Sequence, residues 1–172
     1  MINKNIQNAI NGQINAETYS SYLYLSMSAY FNSINLPGFA NWMKCQAQEE
    51  LIHAMKFFDF VNERGGDVTL KAIDGPPTSW DSPAHAFEEA YKHEQKVTSL
   101  INALVDLAIA ERDHASSSFL QWFVNEQVEE EASANDVVQR LKLAGDKGGG
   151  LFMIDRELAT RTFVYPTTTQ TA

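Results

Sequence analysis

Glutamate recurs at positions where a helical apolar stripe calls for an aliphatic side chain. Ile10, Glu17, Tyr24 and Phe31 follow one another at seven-residue spacing, as do Met43, Glu50 and Phe57, with Gln46, His53 and Phe60 beside them. A third series gives Phe87, Glu94 and Ile101, and a fourth gives Leu120, Gln127 and Ala134 alongside Phe123, Glu130 and Val137. Residues seven apart share a helical face, so the polar members point where their apolar neighbours point, inward. An unpaired carboxylate taken out of water costs several kcal/mol even after relaxation, and a domain's whole margin is about 5–15 kcal/mol. Something cationic must therefore sit among them. Carboxylate oxygens with one imidazole suit a divalent first-row ion such as iron, manganese or zinc, and the number of acids points to two ions sharing a bridging carboxylate. Glu50 and His53 form a Glu-x-x-His pair, whose members project side by side from one helix.

Those residues need four rods held together. Asn5 to Ser33 runs without proline, and Asn32-Ser33-Ile34-Asn35 followed by Pro37 supplies a stop and then a proline suited to a helix start. The second helix runs from Pro37 to Arg64 and ends at Gly65-Gly66. Residues 66–82, with Asp74-Gly75-Pro76-Pro77 and no helical period, read as an extended connection. Ser82 can cap a third helix that begins at Pro83 and runs to about Glu111. After a turn at Arg112-Asp113 a fourth runs from His114 to Ala144 and stops at Gly145. Beyond Gly148-Gly149-Gly150, Leu151 to about Thr162 forms a short amphipathic fifth helix, followed by a threonine-rich tail expected to fray.

Short turns join antiparallel neighbours, whereas the long link can join parallel ones. About 17 extended residues reach roughly 56 Å, more than the roughly 42 Å of a helix of about 28 residues. The expected fold is all-α: a four-helix bundle with a long crossover between its second and third helices, plus the short fifth helix. Glu17 lies about 17 residues before the first tight turn, and Glu50 and His53 about 16–19 after it, so at 1.5 Å per residue both sit about 25 Å away. Glu94, about 18 residues before the second turn, and Gln127 and Glu130, about 15–18 after it, sit at the same depth. A single carboxylate in an apolar stripe is usually a boundary residue reaching for water. Four helices that bring theirs to one level describe a site.

Bulk properties narrow the partners. The chain has 172 residues, 44% of them hydrophobic, with a formal net charge of −9. That amount of apolar material supports one globular domain, and the negative charge argues against nucleic acid and anionic membrane surfaces while attracting cations. No stretch approaches the roughly 18 apolar residues of a membrane span. Met1-Ile2-Asn3-Lys4-Asn5 leads directly into an amphipathic helix instead of a signal-peptide core, so a cytoplasmic protein is expected. The single cysteine, Cys45, suits a reducing compartment and reads as a structural thiol.

These residues resemble the non-haem ferritins of the prokaryotic, ferroxidase-active type, from Met1 to about Phe163. The resemblance is carried by Asn15-Ala16-Glu17-Thr18-Tyr19-Ser20-Ser21, by Ala47-Gln48-Glu49-Glu50-Leu51-Ile52-His53, by Tyr91 with Glu94, and by Phe119-Leu120-Gln121-Trp122-Phe123 leading to Glu126-Gln127-Val128-Glu129-Glu130. It implies a ferroxidase centre whose first iron is held by Glu17, Glu50 and His53. Glu50 would bridge to a second iron that also takes Glu94, with Gln127 nearby and Glu130 in reach. It also implies a possible third iron site at Glu49, Glu126, Glu129 and Glu130, and a role for Tyr24 as a hydrogen-bond and electron donor beside the centre. The activity implied is oxidation of Fe(II) by O2 or peroxide, with ferric oxyhydroxide stored inside a homo-oligomeric shell of 24 subunits and the fifth helix near its four-fold axis. The domain then spans 1–163, with 164–172 as a flexible tail.

Departures from related families sharpen this expectation. Bacterioferritins place a haem-ligating methionine after the bridging glutamate and carry a second Glu-x-x-His; here those positions hold Leu51, and Gln127 with Glu130, so no haem is expected. Animal ferritins line a three-fold channel with acids where this chain has Ser117 and Leu120, which leaves the route of iron into a shell unassigned. Blander readings stand beside these. Glu126 and Glu129 could belong to a solvated acidic face, Glu131 reads as solvated, Tyr24 could be a core aromatic, and His85, His93 and His114 read as surface residues. The competing function is a di-iron peroxidase or oxidase on the same helices without storage.

Overall fold

The computed structural model describes residues 1–145 and 148–165, and among these it contains five helices and no strand. They are α1 (Lys4–Ser33), α2 (Pro37–Glu63), α3 (Pro83–Ala110), α4 (His114–Ala144) and α5 (Gly149–Leu158). The all-α bundle with a short fifth helix is the one expected. Its ends are set by local chemistry. The Asn3 side chain accepts from Asn5 N, Ser82 from His85 N and Asp113 from Ser116 N, satisfying amides that the first turns of α1, α3 and α4 leave open. Asn35 takes the left-handed φ of 59° between α1 and α2, a conformation that asparagine tolerates better than most residues.

The crossover is pinned along α1. Asn11 Nδ2 donates to Asp67 O at 3.0 Å, Asn15 Nδ2 to Ala72 O at 3.0 Å and Ser26 Oγ to Pro77 O at 2.6 Å. The link therefore climbs α1 in step with it, returns the chain to the end where α2 began, and makes α2 and α3 parallel. At the other end Arg64 forks onto Asp113 at 3.0 and 3.1 Å, fixing the end of α2 against the start of α4.

Two apolar clusters fill the bundle. One contains Tyr24, Phe31, Phe39, Trp42, Phe87 and Val138, the other Ile10, Phe57, Val61, Ile101, Leu120 and Phe123. Between them lies a buried polar layer drawn from all four long helices. Among the described residues no helix is long and apolar enough to cross a membrane.

The fifth helix is shorter than expected, ending at Leu158 instead of about Thr162. Asn41 on α2 explains the early stop, because its Nδ2 takes the carbonyls of Leu158 (3.3 Å) and Arg161 (2.9 Å) and draws the backbone out along α2. Val164 and Tyr165 continue this extended segment; the rest of the expected tail, 166–172, lies outside the described residues.

Docking of α5 rests on Asp155. Leu36, at the start of α2, has no capping side chain, and the buried Asp155 carboxylate takes that role through Oδ1, accepting from Gly38 N (2.7 Å) and Phe39 N (3.1 Å). A Cβ on Gly38 would lie 1.6 Å from the Asp155 carbonyl oxygen, so only glycine permits this approach. Asp155→Ala is expected to cost about 1–2 kcal/mol, the scale of a lost cap. Amide exchange checks it: α5 should lose protection before the four long helices, and unchanged protection there would contradict the cap.

Candidate metal centre

Each long helix delivers its polar residues to the layer between the two apolar clusters. Glu17 from α1, Glu50 and His53 from α2, Glu94 from α3, and Gln127 and Glu130 from α4 are all buried, at 1–6% exposure. Glu17, Glu50 and His53 each place a ligand atom within 4.8 Å of the others, and so do His53, Glu126 and Glu130. His53 is shared by the two groups: its Nδ1 lies 3.4 Å from Glu50 Oε2 and its Nε2 3.9 Å from Glu126 Oε1. The edges of Trp122 and Phe123 wall the ring, with centroids at 5.4 and 6.0 Å.

Amides and hydroxyls orient the carboxylates. Gln13 donates to Glu17 Oε1 at 2.8 Å, and Gln46 bridges α2 to α4 by donating to Glu50 Oε1 at 3.3 Å and to Glu130 Oε2. Tyr24 OH donates to Glu94 Oε1, and Gln127 to Glu94 Oε2 at 3.2 Å. Two buried oxygens, Glu17 Oε2 and Gln46 Oε1, have no hydrogen-bond partner among the described residues. A buried oxygen lone pair without a donor is costly unless a cation takes it, and the fit of the layer to metal rests on that Glu17 oxygen together with its donor set.

The charges raise one another. Burial pushes Glu17, Glu50 and Glu130 well above the ordinary carboxylate range, with neighbouring glutamates adding to it; burial also raises Glu94, offset by the Tyr24 and Gln127 hydrogen bonds. The Tyr24 hydroxyl is pushed up by burial and by Glu94, so it remains a donor. In the metal-free protein this favours the protonated carboxyls over the carboxylates that a metal would need.

A pH dependence follows. These carboxyls have higher pKa values folded than unfolded, so their contribution to stability is complete below the unfolded value of about 4.3 and is lost as pH rises through the folded values. Asp113, held low by its Arg64 and Ser116 hydrogen bonds against the effect of burial, acts the other way, but only below its own unfolded value. His93, whose pKa burial pushes down to about 4, also acts the other way, but only up to its unfolded value of about 6.5, so above that value metal-free protein should melt at lower temperature at about pH 8.5 than at about pH 7. Saturating Zn(II) should abolish or reverse that trend, because ligands must shed protons to bind. Calorimetric melts with and without Zn(II) check this, and the same pH trend in both would contradict it.

The remaining expected residues divide. Glu126 is half-buried and faces His53, whereas Glu129 is exposed and joins neither group. Glu49 is half-buried and ion-paired to Arg161. Two readings need correction. His93 is not a surface residue: its Nε2 lies 2.7 Å from Ser20 Oγ, its ring meets Tyr24 edge-on at 6.1 Å, and burial, with Lys96 adding, pushes its pKa down to about 4. Glu131 is not simply solvated, since it accepts from Thr98 Oγ1 at 2.6 Å, and that oxygen in turn accepts from Gln127 at 3.3 Å. His114 is exposed as expected, and His85 is half-exposed beside Asp81 and Glu89. Cys45 is a buried free thiol pushed up by burial. Gln13 and Gln46 went unassigned, although each stands four residues before a buried glutamate, a repeat visible in the sequence.

Comparison with known proteins agrees with this geometry. Residues 7–144 match the ferritin-like domain family, Ferritin. The chain belongs to the ferritin family. It is 50% identical over 161 residues to a bacterial non-heme ferritin of Bacteroides fragilis, covering 94% of this chain and 100% of that one. Against a bacterial non-heme ferritin of Staphylococcus aureus it is 36% identical over 163 residues, covering 95% and 98%. Among solved structures, a ferritin of the hyperthermophilic archaeon Archaeoglobus fulgidus described as open-pore superposes with a TM-score of 0.93 at 56% identity, covering 94% of this chain and 100% of that one. Within the ferritin family, a buried acidic layer fed by four helices is the part of the fold that can handle metal.

Proposed function

We propose that this chain is the subunit of an iron-storage shell that oxidises Fe(II) to Fe(III) at a dinuclear centre and holds the product as ferric oxyhydroxide. The observation that carries this is the buried layer itself: a histidine and four glutamates from all four helices, the glutamates pushed up in pKa by burial, with Glu17 Oε2 unpartnered. Family membership supports storage, and the ferritin names of the relatives support the non-haem type. Leu51, exposed on α2, has neither a thioether nor an imidazole to offer a haem iron.

Iron is the substrate. Glu17, Glu50 and His53 take one Fe(II); Glu50 and Glu94 take the second, with Gln127 and Glu130 within reach, and Glu49, Glu126, Glu129 and Glu130 are the ligands of a third, outlying ion. Gln13, Gln46 and Tyr24 hold the carboxylates in place before any iron arrives, which lowers the cost of ordering them. Each of two Fe(II) ions gives up one electron; dioxygen accepts the pair with two protons and becomes hydrogen peroxide. Hydrolysis of the two ferric ions to oxyhydroxide releases protons. Anionic oxygen ligands gain more from Fe(III) than from Fe(II), so the donor set favours the oxidised side. Tyr24, hydrogen-bonded to Glu94, holds that ligand.

The assembly proposed is 24 copies around a cavity, built from one domain over residues 1–163, in the cytoplasm, where a buried free thiol such as Cys45 persists. The second reading, a di-iron peroxidase without storage, uses the same buried centre and differs in particle mass and product. Aerobic iron loading followed by electron microscopy separates them: electron-dense cores inside hollow particles support storage, and a small oligomer that consumes peroxide without forming cores supports the alternative.

A further inference from the structure

The segment that leaves α5 lies along α2, and one of its side chains reaches the outlying carboxylates. Arg161 is fixed at both ends. Its carbonyl accepts from Asn41 Nδ2 at 2.9 Å and from Cys45 Sγ at 3.7 Å. Its guanidinium lies over the Trp42 ring, 4.5 Å from the centroid, with Nη1 donating to the Trp42 carbonyl at 3.5 Å. Nη2 donates to Glu49 Oε2, and the two side chains are only 22% and 28% exposed, so solvent and salt screen the pair less than a surface one. Trp42 and Glu49 stand seven residues apart on one face of α2, and the rigid fork of an arginine spans between them.

Glu49 shares an open pocket with His53, Trp122 and Glu126, walled on one side by Phe163 and Val164 of the same segment. His53, Glu126 and Glu130 converge closely enough to hold an ion; Glu49 does not join them, because its carboxylate is turned to the guanidinium. A fixed monovalent cation already occupies the ligand that an outlying ion would need. We propose that Arg161 is a positioning residue that keeps the third metal site weak, holding Glu49 in an ion pair that an incoming ion must break. This rests on the reading of Glu49, Glu126 and Glu130 as ligands of a third ion. Its consequence is an order of filling. The buried pair of sites, whose ligands face no competing cation, fills first, and the outlying ion stays exchangeable and can pass onward to the mineral.

Calorimetric titration of the assembled metal-free protein with Zn(II), which is redox-inert, tests this without any oxidation. Arg161→Gln removes the charge but keeps a donor for the Trp42 carbonyl; Arg161→Lys keeps the charge. In Arg161→Gln the third ion per subunit should bind roughly fivefold more tightly, the scale of one such ion pair, with the first two ions unmoved. Arg161→Lys, which keeps the charge without the fork, should gain clearly less than Arg161→Gln, and adding Glu49→Gln to Arg161→Gln should erase the gain. A third step unchanged or weakened in Arg161→Gln overturns the inference, and so does an equal gain in Arg161→Lys, which would mean that the arginine only tacks down the segment. Absence of the two-ion step from the wild type would instead reject the dinuclear centre, and this inference with it.

Discussion

Glu50→Ala and His53→Ala should each slow the initial oxidation of Fe(II) by at least about 100-fold while leaving helix content and particle mass unchanged. The magnitude follows from position. Losing a residue that merely orients a metal ligand commonly costs 10–100-fold, and in the proposed centre these two are ligands themselves, with Glu50 as the bridge. The fold should survive because both side chains lie between the apolar clusters that hold the helices together. For Glu50 the truncation also removes a buried acid that burial has pushed up. Stopped-flow absorbance under aerobic Fe(II) addition reads the rate, and a rate within a few-fold of wild type in either variant would reject the assigned centre.

The second large effect has the opposite sign for stability. Glu17→Gln should raise the melting temperature of the metal-free protein at neutral pH and reduce its further stabilisation by Zn(II). Glu17 is buried and held above its ordinary pKa by desolvation and by Glu50. Once the pH lies above both values, each unit by which the folded value exceeds the unfolded one costs about 1.4 kcal/mol. The amide keeps an oxygen for the Gln13 hydrogen bond at 2.8 Å and adds a donor on the side that faces Glu50. It gains stability and gives up an anionic ligand, the trade expected where a site stores an unfavourable interaction for later use. Calorimetry on the metal-free and Zn(II)-saturated variant settles it, and a lower melting temperature in the metal-free variant would contradict the account.

Much of this was legible in the chain before any coordinates. Helix limits were marked by local signals such as Pro37, Pro83, Ser82 and Gly145, and the shared level of Glu17, Glu50, Glu94 and Gln127 came from counting residues outward from two tight turns. Features built by long-range contact were not legible. The end of α5 is decided by Asn41, more than a hundred residues away in sequence, and the packing of His93 by Ser20 and Tyr24 on another helix. Arg161 lies beyond the helices, and nothing in its neighbourhood announces Glu49 as its partner. Periodicity reports which face a residue occupies; it carries no information about which distant side chain reaches it.

Crystals soaked anaerobically in Fe(II) and measured at the iron absorption edge give the most direct view of the central claim. Two anomalous peaks should appear inside each subunit, one bounded by Glu17, Glu50 and His53 and the other by Glu50 and Glu94. A layer without peaks, or iron found only on the exposed acids of α4, would show that the buried glutamates do not hold metal.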